Sequence, residues 1–129
     1  MTGIKNLGSL LKSMNPELKK GEYIICTTQQ NIPNPMLIFL EDEGKTLIVK
    51  KDIADKYKLK YSETWALITL TVHSDLTAVG FLATITKHLA KNGISVNVVS
   101  AYYHDHLFVP FSKTKETMKI LNNISRDKI

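Results

Sequence analysis

Trp65-Ala66-Leu67-Ile68-Thr69-Leu70-Thr71-Val72-His73, followed by Ser74-Asp75 and then by Ala78, Leu82, Ile85 and Leu89, is the stretch on which the fold turns. The first nine residues are dense in β-branched, aromatic and leucine side chains that suit a pleated, half-buried surface, so they predict a central strand. The next four apolar residues recur at the three- and four-residue spacing of one helix face. Ser74 and Asp75 are candidate N-caps. Asn92-Gly93 closes the helix, because glycine takes a left-handed position without a Cβ clash. Ile94 to Ala101 then reads as a strand, Tyr102 to Asp105 as a turn, and His106 to Phe111 as the returning strand. Ser112 is placed to cap a last helix with apolar positions Met118, Ile120, Leu121 and Ile124. The order from Trp65 onward is β-α-β-β-α.

The first half repeats that order without repeating residues. Ile4, Leu7, Leu10, Leu11 and Met14 predict a helix over 3–14. Asn15-Pro16 reads as a cap with proline opening one more helical turn, closed by Gly21. Tyr23 to Thr28 predicts a strand, Asn31 to Pro35 a loop, and Met36 to Glu41 with Thr46 to Lys50 a hairpin about Asp42-Glu43-Gly44-Lys45. Asp52 offers a cap to a short helix on which Ile53, Ala54 and Tyr57 share a face, and Lys58 to Thr64 is a polar connector. After the opening helix this gives β-loop-β-β-α, so the first crossover helix is replaced by a proline-containing loop. The expected fold class is α+β, ferredoxin-like (βαββαβ), with antiparallel sheets and helices on one face. Two fused modules are expected, 1–64 and 65–129. The second lacks its terminal strand, since residues 125–129 are too few, and a strand lent by the first half would fill the gap.

Composition sets the outer limits. With 43% hydrophobic and 22% charged residues, the chain has the balance of an ordinary globular domain. Its single cysteine, Cys26, cannot form an internal disulfide or a cysteine zinc site. The opening residues Met1-Thr2-Gly3-Ile4-Lys5 lack a signal-peptide pattern, and no apolar run reaches the roughly 20 residues that span a bilayer. A cytoplasmic protein without a membrane partner is expected. The net charge of +5 is spread as +2 over 1–64 and +3 over 65–129. A mixed, solvated surface accounts for that without nucleic acid.

Three segments carry a resemblance to a known family: His73-Ser74-Asp75-Leu76-Thr77-Ala78-Val79-Gly80, Asn92-Gly93-Ile94-Ser95-Val96-Asn97-Val98-Val99, and Tyr102-Tyr103-His104-Asp105-His106-Leu107-Phe108-Val109. Together with Gly3-Ile4-Lys5 through Met14-Asn15-Pro16-Glu17-Leu18, the chain resembles the small bacterial stand-alone ACT-domain proteins. The resemblance implies modules that bind amino acids or similar small effectors at their interfaces and regulate attached or partner enzymes. It implies a facing wall in Ile94–Ala101, where Asn97 and Val98 lie. The family's common turn, Asp-x-Pro-Gly-x-Leu, is absent: no proline stands in the turn and Gly80 comes five residues after Asp75.

Physics points to the same place. Main-chain N–H groups at a helix start have no intrahelical partner and sit at the positive end of the helix dipole, so a carboxylate is welcome there. The ligand-binding candidates are Asp75, Leu76, Thr77, Ala78, Val79, Gly80, Asn97, Val98 and Tyr103, with Asp75 available to a ligand ammonium. Each also has a plainer reading: Asp75 as a cap, Gly80 as a point of close helix–sheet packing, Asn97 as a partner for neighbouring backbone, Tyr103 as an intersubunit contact. His104 and His106 would share one side of a strand and could hold a metal, but no third ligand stands at zinc-site spacing, and with Asp105 in a turn the rings would diverge. No Walker, dinucleotide-glycine or Gly-x-Ser-x-Gly pattern occurs, so no catalytic residue or cofactor is expected. An RNA-recognition domain shares the element order, but His106-Leu107-Phe108-Val109-Pro110-Phe111 lacks its glycines and basic start. The expected protein is a regulator that binds an amino acid or related small carboxylate. It forms a homodimer and addresses a partner enzyme or transporter.

Overall fold

A computed structural model describes residues 3–127. Met1, Thr2, Lys128 and Ile129, on which the leader and tail readings partly rest, lie outside the described residues. The elements are α1 (Leu7–Ser13), β1 (Pro16–Leu18), β2 (Tyr23–Thr27), β3 (Leu37–Glu41), β4 (Gly44–Lys50), α2 (Lys51–Lys56), β5 (Trp65–Leu70), α3 (Phe81–Lys91), β6 (Asn97–Ser100), β7 (Asp105–Pro110) and α4 (Thr114–Asp127). All strands join one antiparallel sheet in the order β3-β4-β2-β5-β7-β6, with β1 beside β5.

The strand β5 holds the two halves together. Pro16, Glu17 and Leu18 pair with Leu70, Thr69 and Ile68, and Lys19 N–H donates to the Leu67 carbonyl at 2.9 Å. The chain then moves on so that Tyr23 of β2 pairs with Trp65 at the other end of β5. A three-residue strand from the first half therefore lies along the edge of β5, where the second half was expected to lack a strand.

Alternation along each strand sends one set of side chains to the helices and the other to a helix-free face. Ala66, Ile68 and Leu70 of β5 and Leu107 and Val109 of β7 meet α1, α3 and α4 through Leu10, Met14, Phe81, Ile85, Leu89 and Leu121. A smaller cluster of Ile24, Leu47, Val49 and Leu59 packs around Ala54 of α2. Cys26 packs at its margin, and burial pushes its thiol pKa up, the behaviour of an inert thiol. On the helix-free face Tyr23, Ile48, Leu67 and Phe108 cover one another so fully that none is more than 4% exposed. Tyr23 and Phe108 meet edge to face, 6.1 Å between ring centroids. Among the described residues no helix is long and apolar enough to cross a membrane.

Several local expectations are corrected. Residues 3–6 are not helical: Ile4 forms a parallel bridge with Ser74, its N–H donating to the His73 carbonyl at 2.7 Å. The approach is so close that a Cβ on Gly3 would stand 2.6 Å from backbone atoms of His73, Ser74 and Asp75, which only glycine allows. Asn15-Pro16 opens β1 rather than a helical turn. Proline keeps the residue before it extended, and at the first position of a strand its missing N–H costs no ladder bond. The N-cap of α2 is Lys50, and Asp52 sits inside the first turn, accepting from Ile53 N–H. The Trp65 strand ends at Leu70, the Ile94 strand begins only at Asn97, and Asp105 opens β7 instead of belonging to a turn. A 3-10 turn at Phe111–Lys113 precedes α4, with no cap from Ser112. The largest correction, the start of α3, bears on the site.

Candidate functional site

Past Leu70 the chain leaves the ladder, and His73 to Asp75 run beside Ile4, with Asp75 N–H donating to the Ile4 carbonyl at 2.9 Å. The Asp75 carboxylate turns back on its own loop, accepting from Thr77 N–H at 2.8 Å and from the Thr77 hydroxyl. The Thr77 hydroxyl first, and then its N–H, hold the Asp75 carboxyl below the usual carboxylate range. Ala78 N–H donates to the Asp75 carbonyl. This is an Asx turn, in which a short acidic side chain offers the backbone an alternative to helix. It delays α3 to Phe81, after Gly80 enters at φ +91° as N-cap with no side-chain cap. The expectation that the amides of 75–80 stand bare is therefore wrong, since those of Asp75, Thr77 and Ala78 are already used within the protein. The bare amides are one turn later. Thr84 N–H donates to the Gly80 carbonyl at 3.0 Å, and Phe81, Leu82 and Ala83 precede any intrahelical acceptor.

These amides lie along a cavity of ≈ 150 Å³ lined by Ser74, Asp75, Leu76, Ala78, Gly80, Phe81, Leu82, Ala83, Ser100, Ala101 and Asp105. Asp105, 7% exposed, starts β7 between Leu70 on one side and Ser100 on the other. The Ser74 hydroxyl donates to its carboxylate at 3.2 Å. The cavity thus combines a helix start that attracts an anion with a buried carboxylate that attracts a cation, the two demands of an α-amino acid.

Of the sequence candidates, Asp75, Leu76, Ala78 and Gly80 line this cavity, while Thr77 and Val79 share the loop without lining it. Asn97 does not reach it: paired with Phe108, it stands on the helix-free face. Val98 faces the helix side two residues short of Ser100, outside the lining. Tyr103 is also outside, meeting Tyr102 edge to face (5.0 Å between centroids) and His73 at a tilt (5.6 Å). These rings flank the cavity in the chain, His73 preceding Ser74 and Tyr102 following Ala101. Sequence reasoning missed Asp105 as a cavity residue. Its signal was alternation, since Asp105, Leu107 and Val109 share the core face, and an acid at a core position is rarely there for packing.

The histidine pair takes another form. His104 and His106 meet edge to face at 6.3 Å, and among the described residues no three His, Cys, Asp or Glu side chains come together to hold a metal. His106 Nδ1 is hydrogen-bonded with the Thr69 hydroxyl at 2.9 Å. Burial first, and then the field of His104, push the His106 pKa below its ordinary value. A histidine whose folded pKa is depressed contributes stability that is whole above the unfolded value, about 6.5, and is lost as pH falls toward the folded one. The melting temperature should therefore decline from pH 7 to pH 5, and His106→Gln should flatten that decline. Equal slopes for both proteins in circular-dichroism melts would refute the assignment.

A larger space of ≈ 440 Å³ lies on the helix-free face over Tyr23, Ile48, Leu67 and Phe108. Its charged groups are Lys50 and Lys19, the latter paired with Glu17, so it has no acidic wall to oppose an ammonium. The smaller cavity suits an amino acid better.

Comparison with known proteins places the chain. Two models described as ACT domain match it, one over residues 2–66 and one over residues 60–123. No curated protein matches. A solved structure of a protein of unknown function from Vibrio cholerae, described as a possible transport protein, is 41% identical; the match covers 96% of this chain and 99% of that one, with a TM-score of 0.83. A protein from Agobacterium tumefaciens shares the fold at 18% identity, with 87% and 89% covered and a TM-score of 0.66. Clostridium acetobutylicum aspartate kinase, an allosteric enzyme, shares it at 11% identity, over 87% of this chain and 34% of that one, with a TM-score of 0.60.

Proposed function

Since the chain belongs to the ACT-domain family, whose domains are typically regulatory and ligand-binding, we propose that it is a regulatory protein without catalysis of its own that takes an amino acid in the cavity before α3. The observation that carries this reading is the meeting of the uncapped start of α3 with the buried Asp105 carboxylate across one small cavity. The α-carboxylate of the ligand faces the amides of Phe81, Leu82 and Ala83, and its ammonium faces Asp105. At ≈ 150 Å³ the space favours a small side chain over an aromatic one. In this reading the protein is a cytoplasmic homodimer of two fused modules, 1–64 and 65–129. Its bound state is read by a partner enzyme or transporter; the description of the Vibrio cholerae relative as a possible transport protein lends the second some support.

The competing readings lose ground for stated reasons. An RNA-recognition sheet stacks bases on exposed aromatic rings at the centre of its sheet, and here the central rings, Tyr23 and Phe108, are only 3% and 2% exposed. A metal protein needs more ligands than His104 and His106.

The test is a thermal-shift screen of the twenty amino acids, nucleotides and divalent metals. A true ligand at about a hundred times its dissociation constant stabilises by roughly 2.7 kcal/mol, easily seen. A response to one or a few small amino acids is expected. Response only to metal or nucleotide, or to nothing, would overturn the reading.

A further inference from the structure

We propose that the helix-free face of the sheet carries a second binding site, which takes an unbranched aliphatic carboxylate without an amino group. The site is the trough of ≈ 440 Å³ over Tyr23, Ile48, Leu67 and Phe108. It shares only Ala101 with the cavity before α3. Register explains its shape. Leu37 pairs with Ile48, Tyr23 with Trp65, Leu67 with Phe108, and Val99 with His106. The apolar lining therefore follows the sheet from β3 to β6, crossing strands that stand about 4.8 Å apart. A floor laid out that way is longer than one aromatic ring and fits an extended chain.

The walls decide the charge of the occupant. Lys19 and Lys50 line the trough, and no aspartate or glutamate does. Lys19 N–H donates to the Leu67 carbonyl and Lys50 pairs with Tyr23, so both lysines stand beside floor residues. Lys19 is already answered by Glu17, its ion-pair partner. Lys50 also borders a depression with Glu22, Asp52 and Asp55, yet among the described residues it forms no ion pair. It is the ammonium left for a ligand anion. The Thr69 hydroxyl and His106 Nδ1 are joined to each other at 2.9 Å, so that wall asks little of a polar ligand. A ligand bearing an ammonium has no acid to meet here, which separates the trough from the cavity at Asp105. One carboxylate at Lys50, with an apolar chain along the floor, satisfies both features, and burial of the chain supplies most of the affinity.

The test is a titration of the full, isotopically labelled chain with sodium octanoate near neutral pH, followed by amide NMR. Saturable shifts are expected at Tyr23, Ile48, Leu67 and Phe108 and not at Phe81 to Ala83. Hexanoate should bind roughly tenfold more weakly, because each buried methylene changes affinity about threefold to fourfold. Octylammonium, with the same chain and the opposite charge, should also bind roughly tenfold more weakly. Lys50→Gln should weaken octanoate about fivefold and leave octanol unchanged, which assigns the loss to charge rather than to packing. Met36→Glu places an acid at an exposed lining position and should weaken octanoate with no core residue disturbed. Failure to saturate in the millimolar range, or shifts centred on the start of α3, overturns the site. Octylammonium binding as tightly as octanoate, or octanoate binding both variants as it binds wild type, overturns the anionic class of ligand. The amino-acid reading stands or falls separately, at Asp105.

Discussion

Asp105→Asn is expected to weaken binding of an α-amino acid by on the order of 100-fold while the fold stands. The substitution keeps the shape and removes the charge that faces the ligand ammonium across the cavity. Truncating one partner of a buried, hydrogen-bonded charge pair typically costs about 2–5 kcal/mol, and about 2.7 kcal/mol corresponds to that fold-change. The ligand-free protein should hardly notice. It loses one charge-assisted bond from Ser74, but it is also relieved of a carboxylate only 7% exposed, for which no cation stands among the ion pairs of the described residues. The two effects oppose and should nearly cancel. Calorimetric titration of wild type and variant with the responding amino acid, and with its analogue lacking the amino group, separates causes. The analogue meets only the amides of α3, so its affinity should be the same or higher in the variant. Equal affinity of both proteins for the amino acid would remove Asp105 from the site.

What could be read from sequence, and what could not, divides by whether the signal was local. β5 and β7 were legible because Trp65 to His73 and His106 to Phe111 are runs dense in β-formers, and a strand buried on both faces needs little else. β1 was not legible. Pro16-Glu17-Leu18 is a strand only because the edge of β5 is open beside it, a fact that lies fifty residues away. The start of α3 was misread for the opposite reason, an excess of local signal. Ser74 and Asp75 are both good caps, and the Asp75–Thr77 turn that spends the carboxylate one turn early competes with helix by a few tenths to a kcal/mol. The cavity therefore lies beside the expected loop, but its unused amides come one turn later than expected. Asn97 was within reach of alternation: Ile94 and Val96 pack in the helix-side core and Val98 pairs with Leu107 on that side, so Asn97, between Val96 and Val98, takes the helix-free face opposite Phe108.

Leu10→Ala should lower stability by about 3 kcal/mol, and the form of the loss is more telling than its size. Leu10 is fully buried, and although it belongs to the first half of the chain, it lies in the core cluster that holds Ile68, Ile85, Leu107 and Leu121 of the second. Large-to-small changes at such sites cost about 2–5 kcal/mol, a fall of roughly 10 °C in melting temperature for a chain of this size. Leu47→Ala, in the separate cluster beneath α2, should cost a similar amount. If the halves folded independently, each change would move one of two transitions and leave the other in place. Because β1 lies against β5 and β5 also touches β2, neither half has a complete sheet without the other, and both variants should shift a single transition as a whole. Residues 65–129 alone, deprived of α1 and β1, should then remain unfolded and gain structure when a peptide of residues 3–20 is added. A calorimetric trace with two separable peaks, or a second half that folds unaided, would show that strand sharing does not couple the halves.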